Sequence, residues 1–388
     1  MRIPIAKPFL DIAEEKAVID VLRSGWVSQG PQCARFEEAI AAFVGVQHAR
    51  GVNSGTGALH LALMACGIGA GDEVVVPAFT CVATLNSIEF TGAKPVLCDI
   101  ELNSFALDPE RVAQAFTPRT KVLVLVHLFG ASGRISEIQS LTADRGITLI
   151  EDAALSLGAR FDGRPIGSFG KASSLSFHPR KIITTGEGGM VLTDSDEVAG
   201  TVAVLRGYGA SVSALDRHAG QLFVMPTIDR AGFNFKLTDL QAAIGVEQMR
   251  KLPAIIERRR DVARRYHEAC SGLDWLCLPL DPPASFHVYQ SYTCLLRPDL
   301  HRRRAFDELA TIQGRFFRHL ADRDIASVQG SQSIPTIRYY RAKYGWNAED
   351  YPMALIADHG TACLPIYPSL SADDQEAVIG AVRSFDPR

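Results

Sequence analysis

Lys121-Val122-Leu123-Val124-Leu125-Val126-His127-Leu128 is followed by the helix-spaced stretch Ile135 to Ala143, and then by Ile147-Thr148-Leu149-Ile150-Glu151-Asp152-Ala153-Ala154. The first run is apolar almost throughout instead of alternating apolar and polar. Such a strand is covered on both faces, which is the mark of a parallel sheet inside helical layers. The same alternation continues on both sides. Val74-Val75-Val76 and Lys94 to Ile100 read as strands, and Leu59 to Met64, Val82 to Phe90 and Pro109 to Phe116 read as helices. Ser173 to Phe177 and Gly189 to Thr193 add two more strands. The expectation is an α/β architecture, a mostly parallel sheet sandwiched by helices.

Past residue 240 the character changes. Thr238 to Met249 reads as a helix that Thr238 caps, with Asp239 in its first turn. A second helix, Ile255 to Cys270, follows Pro253. Its Glu257-Arg258-Arg259-Arg260 run reads as a solvated face. The proline-containing stretch Pro279 to Pro283 leads to a strand over His287 to Leu296, and Ser371 caps a closing helix. This second part is expected to be a smaller C-terminal α+β domain. The boundary is placed near residue 245, giving domains 1–245 and 246–388.

Composition limits the function classes. The 388 residues include 40 Lys+Arg against 43 Asp+Glu, a net charge of −3. That balance argues against a nucleic-acid partner, because phosphate-backbone affinity needs a basic face. A hydrophobic share of 47% and a charged share of 21% fit a folded chain with a sizeable core. No apolar run approaches the ~18 residues of a spanning helix, and Met1 to Pro8 lacks a signal peptide's apolar core. No membrane partner is expected. The eight cysteines form no Cys-x-x-Cys pair and read as reduced thiols, so the expected location is cytoplasmic.

Four constellations carry chemistry. In Asn53-Ser54-Gly55-Thr56-Gly57-Ala58-Leu59 a strand ends, a small-residue turn follows and a helix begins. Amides at the positive end of a helix suit a phosphate, although small residues also open helices for structural reasons. It is neither a Walker loop nor Gly-x-Gly-x-x-Gly. Glu151-Asp152 stands at the carboxyl end of a strand, where open α/β sheets place ligands. A carboxylate there pairs with a cationic ring nitrogen or a metal, or simply caps the next turn. No nearby cluster supports a metal. Ser176-Phe177-His178-Pro179-Arg180-Lys181 ends a strand in a loop that carries a lysine, and the turn Thr184 to Gly189 follows. Desolvated lysines lose protons readily and form Schiff bases, whereas a lone lysine is usually a surface residue. The fourth is Gly232-Phe233-Asn234-Phe235-Lys236, whose aromatics read as core or interface residues. Together, a phosphate cradle, a strand-end acid and a downstream lysine are what pyridoxal 5′-phosphate (PLP) needs.

On these motifs the chain resembles the DegT/DnrJ/StrS group, PLP-dependent sugar aminotransferases of fold type I. The likeness spans about residues 3 to 385. It includes Ser24 to Pro31, Gly71 to Thr80, Val126-His127-Leu128-Phe129-Gly130, Glu151 to Ala154, Thr184 to Gly189 and Leu364 to Leu370. The resemblance implies that Lys181 holds the cofactor as an imine and that Asp152 faces the pyridine nitrogen. It implies that Gly55, Thr56 and Ser176 bind the phosphate. It also implies that Asn234 reaches the phosphate across a homodimer interface, so that each site needs two chains. The first domain is then the PLP-binding one. The implied substrates are an amino-acid donor, glutamate foremost, and a keto group on a nucleotide-linked deoxysugar.

Three positions depart from the family's common pattern. Cys81 stands where an aromatic residue usually stacks on the ring, and Leu155 where a polar residue contacts the cofactor. Ser333-Ile334-Pro335 occupies a region where relatives often carry a histidine near the substrate. Trp26 and Gln29 are candidates for the cleft wall. Other readings are a keto-cyclitol or antibiotic precursor as acceptor, a PLP-dependent sugar dehydratase, or a regulatory protein that binds PLP or a sugar without turnover. Dehydratase relatives replace the lysine by histidine, so Lys181 argues against that branch.

Overall fold

The computed structural model describes residues 2–131, 133–211, 227–228, 230–282 and 284–388. The end of the anticipated proline stretch, Pro283, lies outside the described residues. The main sheet has seven strands: β1 His48–Val52, β2 Glu73–Pro77, β3 Lys94–Cys98, β4 Thr120–Val126, β5 Thr148–Asp152, β6 Ala172–Ser176 and β7 Gly189–Thr193. Their spatial order is β1-β7-β6-β5-β4-β2-β3. Neighbours from β6 to β3 pair in parallel, while β7 runs antiparallel to both β6 and β1. The expected architecture is therefore observed, with one reversed strand. Leu123 and Leu125 pack into one core and Val122 and Val124 into the other, which is why β4 reads as unbroken apolar sequence.

In-register pairing brings strand ends together. Val126 stands opposite Asp152, and Asp152 opposite Ser174 two residues before Ser176. Reversal of β7 has a second effect. It sets Gly189 opposite Val52, so the turn leaving β1 lies against the turn entering β7.

The smaller sheet joins Leu276–Cys277, Tyr292–Leu296 and Thr361–Leu364 in antiparallel order. Its strand Tyr292–Leu296 is shorter than the run His287 to Leu296 read from sequence. The helices Phe306–Ala321 and Ala372–Arg383 pack on it, and Ser371 caps the latter as expected. No helix among the described residues is long and apolar enough to cross a membrane.

Two readings are corrected here. The helices expected on either side of Pro253 are one helix, Asp239–Cys270, with Pro253 inside it. Proline removes one helical hydrogen bond, but Leu252, Ile255 and Ile256 are buried around it and hold the helix on course. Thr238 and Gln241 form its capping box. The anticipated boundary near residue 245 falls within this helix. Residues up to Ile256 pack into the core under the large sheet, and those from Val262 onward into the core of the small sheet.

The second correction concerns the charge run. Arg259 is 2% exposed instead of solvated. Its Nη1 donates to the carbonyls of Tyr289, Gln290 and Ile366. Helical rotation turns this one arginine of three into the protein.

Candidate active site

A cleft of about 610 Å³ opens at the carboxyl ends of the parallel strands. Gly55, Thr56, Cys81, Asp152, Ser176 and Lys181 all line it. A second cavity of about 650 Å³, between Arg304–Glu308 and Ala348–Glu349, contains none of these residues. The candidate chemical groups therefore converge in the first.

The turn after β1 forms one wall. Ser54 caps the helix Gly55–Ala65, its Oγ accepting from the Gly57 amide. The first-turn residues Gly55 and Thr56 face the cleft at the positive end of that helix. Glycine at 55 is a spatial requirement, because a Cβ there would lie 2.7 Å from Ser176 Cβ. The backbone of the turn and the hydroxyl of Ser176 thus share one concavity that suits an anion.

At the end of β5 the pleat sends adjacent acids to opposite sides. Asp152 enters the cleft. Its Oδ2 accepts from Thr84 Oγ1 at 2.9 Å and its Oδ1 from the Ala154 amide at 3.2 Å. Glu151 turns away and is wholly buried. It accepts from His127 Nε2 at 3.0 Å and from the amides of Gly167, Phe169 and Gly170. Burial works against its charge, yet His127 and the amides together hold it below the ordinary carboxylate value.

Lys181 leaves β6 on a tight loop, its amide donating to the His178 carbonyl at 2.8 Å. It is half-buried and lines the cleft. Desolvation lowers its pKa from the ordinary lysine value, with the charge of Asp152 opposing. A lysine so placed holds a larger share of the free amine that nucleophilic attack on an aldehyde requires.

The distant part of the chain closes the cleft. Gln290, Ser291 and the segment Val328 to Gln332 line it. Gln290 Nε2 donates to the Arg180 carbonyl at 2.7 Å, tying the lysine loop to this wall. Gln332 and Ser333 pair with Thr80 and Phe79, and Asp358 Oδ1 accepts from the Ser333 amide at 2.8 Å. Sequence reading missed Thr84, Gln290 and the 328–332 segment, since none sits in a recognisable motif.

Some expectations are not gathered here. Asn234 is exposed and outside this cleft, its Oδ1 accepting from Lys236 Nζ at 2.6 Å. Trp26 and Gln29 also lie outside it, with Trp26 Nε1 donating to the Gln29 carbonyl. Of the departures, Cys81 and Leu155 line the cleft, while Ser333 and Ile334 are buried and Pro335 faces the second cavity.

An anion-binding turn, a buried carboxylate and a desolvated amine meet in one cleft. That donor set, with the cradle that a Cβ on Gly55 would fill, fits PLP.

Comparisons agree. The model of the DegT/DnrJ/EryC1/StrS aminotransferase family matches residues 9–383. The spore coat polysaccharide biosynthesis protein SpsC of Bacillus subtilis (strain 168) is 36% identical over 386 residues, 99% of this chain and 97% of SpsC. The aminotransferase TlmJ of Streptoalloteichus hindustanus is similar in structure, with a TM-score of 0.88, 31% identity and 98% of each chain covered. Spr1654 of Streptococcus pneumoniae in its PMP form superposes with a TM-score of 0.89 at 26% identity, again over 98% of each chain. The same protein has also been solved in a PLP form.

Proposed function

The chain belongs to the DegT/DnrJ/EryC1/StrS aminotransferase family and is a PLP-dependent sugar aminotransferase; from that premise we propose that it moves the amino group of an amino acid, glutamate foremost, to a keto group of a nucleotide-linked deoxysugar. The observation that carries the site assignment is the meeting of Lys181, Asp152, Ser176 and the Gly55–Thr56 turn in one cleft.

Bound PLP supplies a ring that withdraws electrons from the substrate carbon bearing the amine. The chain's own groups do the rest. Lys181 would hold the cofactor aldehyde through its ε-nitrogen, and its amine, once free, would move a proton at the substrate carbon that bears the amino group. Its proton affinity, lowered by desolvation, favours the free amine that such an exchange needs. Asp152 holds the ring nitrogen in its charged form, and its two donors keep the carboxylate in one orientation. Ser176 and the amides of Gly55 and Thr56 bind the phosphate and so fix the ring's position. Asn234 projects from the surface and completes the phosphate site of a partner copy, so the working unit is a homodimer. Residues 328–332, with Gln290 and Ser291, form the wall that faces the acceptor.

Borohydride reduction of the PLP-loaded protein followed by peptide mass mapping tests the assignment. The mass of reduced PLP is expected on the Lys181 peptide, and its appearance on any other lysine overturns it. A screen of keto sugars with glutamate, read by mass, tests the substrates. Amination of a nucleotide-linked keto sugar supports them, and amination of unlinked keto compounds alone replaces the acceptor.

A further inference from the structure

Thr80, Thr84 and Asp152 form a buried chain of hydrogen bonds along the cleft wall. Thr80 is 0% exposed and Thr84 1%. Thr84 Oγ1 lies 2.9 Å from Asp152 Oδ2, and Thr80 Oγ1 lies 3.1 Å from Thr84 Oγ1. An ionised carboxylate only accepts, and a hydroxyl has a single proton to give. Thr84 therefore spends its proton on Asp152 and must accept from Thr80. The direction of the whole chain follows: Thr80 donates to Thr84, and Thr84 to Asp152. Bonds aligned this way polarise one another in a medium of low dielectric.

Both residues are anchored through their backbones. Thr84 stands in the first turn of the helix Val82–Glu89, with its amide donating to the Cys81 carbonyl at 3.0 Å. Thr80 belongs to the short strand Phe79–Thr80, paired to Gln332–Ser333.

We propose that Thr84, oriented by Thr80, is a positioning residue that fixes the Asp152 carboxylate against the pyridine nitrogen of PLP. This rests on the assignment of Asp152 to that nitrogen. A hydrogen bond to the charged form of an acid favours that form. Without the Thr84 donor, Asp152 keeps the Ala154 amide alone, and the ring nitrogen is less firmly held in its charged state. A ring with less positive charge leaves the nitrogen of Lys181 more basic.

The test compares wild type with T84V, T84S, T80V and D152N, reading PLP affinity and the pH midpoint of the bound cofactor's absorbance. Valine keeps the shape of threonine without the donor. T84V is expected to bind PLP about tenfold more weakly, as befits loss of a hydrogen bond to a charged group, with its midpoint displaced upward. T84S is expected to restore both. T80V, which removes only the outer donor, is expected to move both in the same direction by less. If T84V does not accumulate, T80V against wild type carries the test, and an unmoved midpoint there overturns the proposal. A T84V protein with lower thermal stability but wild-type affinity and midpoint also overturns it, leaving Thr84 a helix residue and no more. D152N separates the two readings. If D152N matches wild type, the Asp152 assignment itself falls. If D152N is impaired while T84V is not, only the role of Thr84 falls.

Discussion

Gly189 and Ser54 meet backbone to backbone: a Cβ on Gly189 would lie 2.2 Å from the Ser54 carbonyl oxygen and 2.7 Å from the Gly55 nitrogen. Both contacts are with main chain, so no side-chain rotation relieves them. The reversed strand β7 thereby presses directly on the cradle assigned to phosphate.

Gly189→Ala must separate β7 from that turn. The strain expected of overpacking is about 1–3 kcal/mol. Because it falls on the cradle, PLP affinity should drop by about 5- to 150-fold, along with the thermal midpoint of the apo-protein. Fluorescence titration with PLP reads the first and a melt the second. Wild-type affinity in this variant would show that the contact relaxes without disturbing the cradle.

Lys181 makes stability depend on pH in a defined direction. Its pKa in the folded chain is lowered by desolvation from the ordinary 10.5. Between the lowered value and 10.5 the unfolded chain binds more protons, so apo-protein stability rises with pH across that window. Lys181→Met removes this dependence. The variant is expected to be more stable than wild type at neutral pH, with an advantage that shrinks as pH rises, at most ~1.4 kcal/mol per pH unit for one proton. Urea unfolding of the two apo-proteins at several pH values measures it. An advantage that grows with pH would reverse the sign and refute the argument.

Arg259 has no acidic partner within hydrogen-bonding reach among the described residues, and its burial lowers its pKa to about 10. Its value lies in the three carbonyls it satisfies, one of them that of Gln290 in the cleft wall. Arg259→Met strands those carbonyls and should cost about 3 kcal/mol. Since Gln290 also ties down the Arg180 carbonyl, the loss should raise KM for the acceptor more than it lowers kcat. Denaturant midpoints and steady-state kinetics check the two halves separately.

Cys81 lines the cleft where relatives commonly place an aromatic ring, and it is exposed there. Its alkylation by iodoacetamide should slow markedly when PLP is bound, read by mass on the Cys81 peptide. Cys81→Tyr supplies a stacking face worth about 0.5–1.5 kcal/mol, so PLP affinity should rise by up to about tenfold. Alkylation at equal speed with and without PLP would place the ring elsewhere.

Much of this is legible in the amino-acid sequence. The apolar runs of β2 and β4 are legible because a strand covered on both faces leaves no polar side to interrupt it. Asp152 stood out by position at the end of a strand, and Lys181 by the glycine-rich turn that follows it. Thr84 did not stand out. It lies 68 residues from Asp152 and looks like any helix threonine until the sheet folds the two together. Arg259 misled because three consecutive arginines read as a solvated run, and only packing reveals which of the three turns inward.

The sequence by itself determined the kind of fold, the order of its strands and helices, and the chemical groups available: an amine at 181, a carboxylate at 152, a small-residue turn at 53–57. Those properties reside in periodicity and residue type, which are local. Only the tertiary structure decided that Gly189 abuts Ser54, that two threonines back the carboxylate, and that residues 328–332 close the cleft. Such contacts depend on strand register and on side chains packed through space, and one residue's difference in a loop or a pairing would send each group elsewhere while the local pattern stayed unchanged.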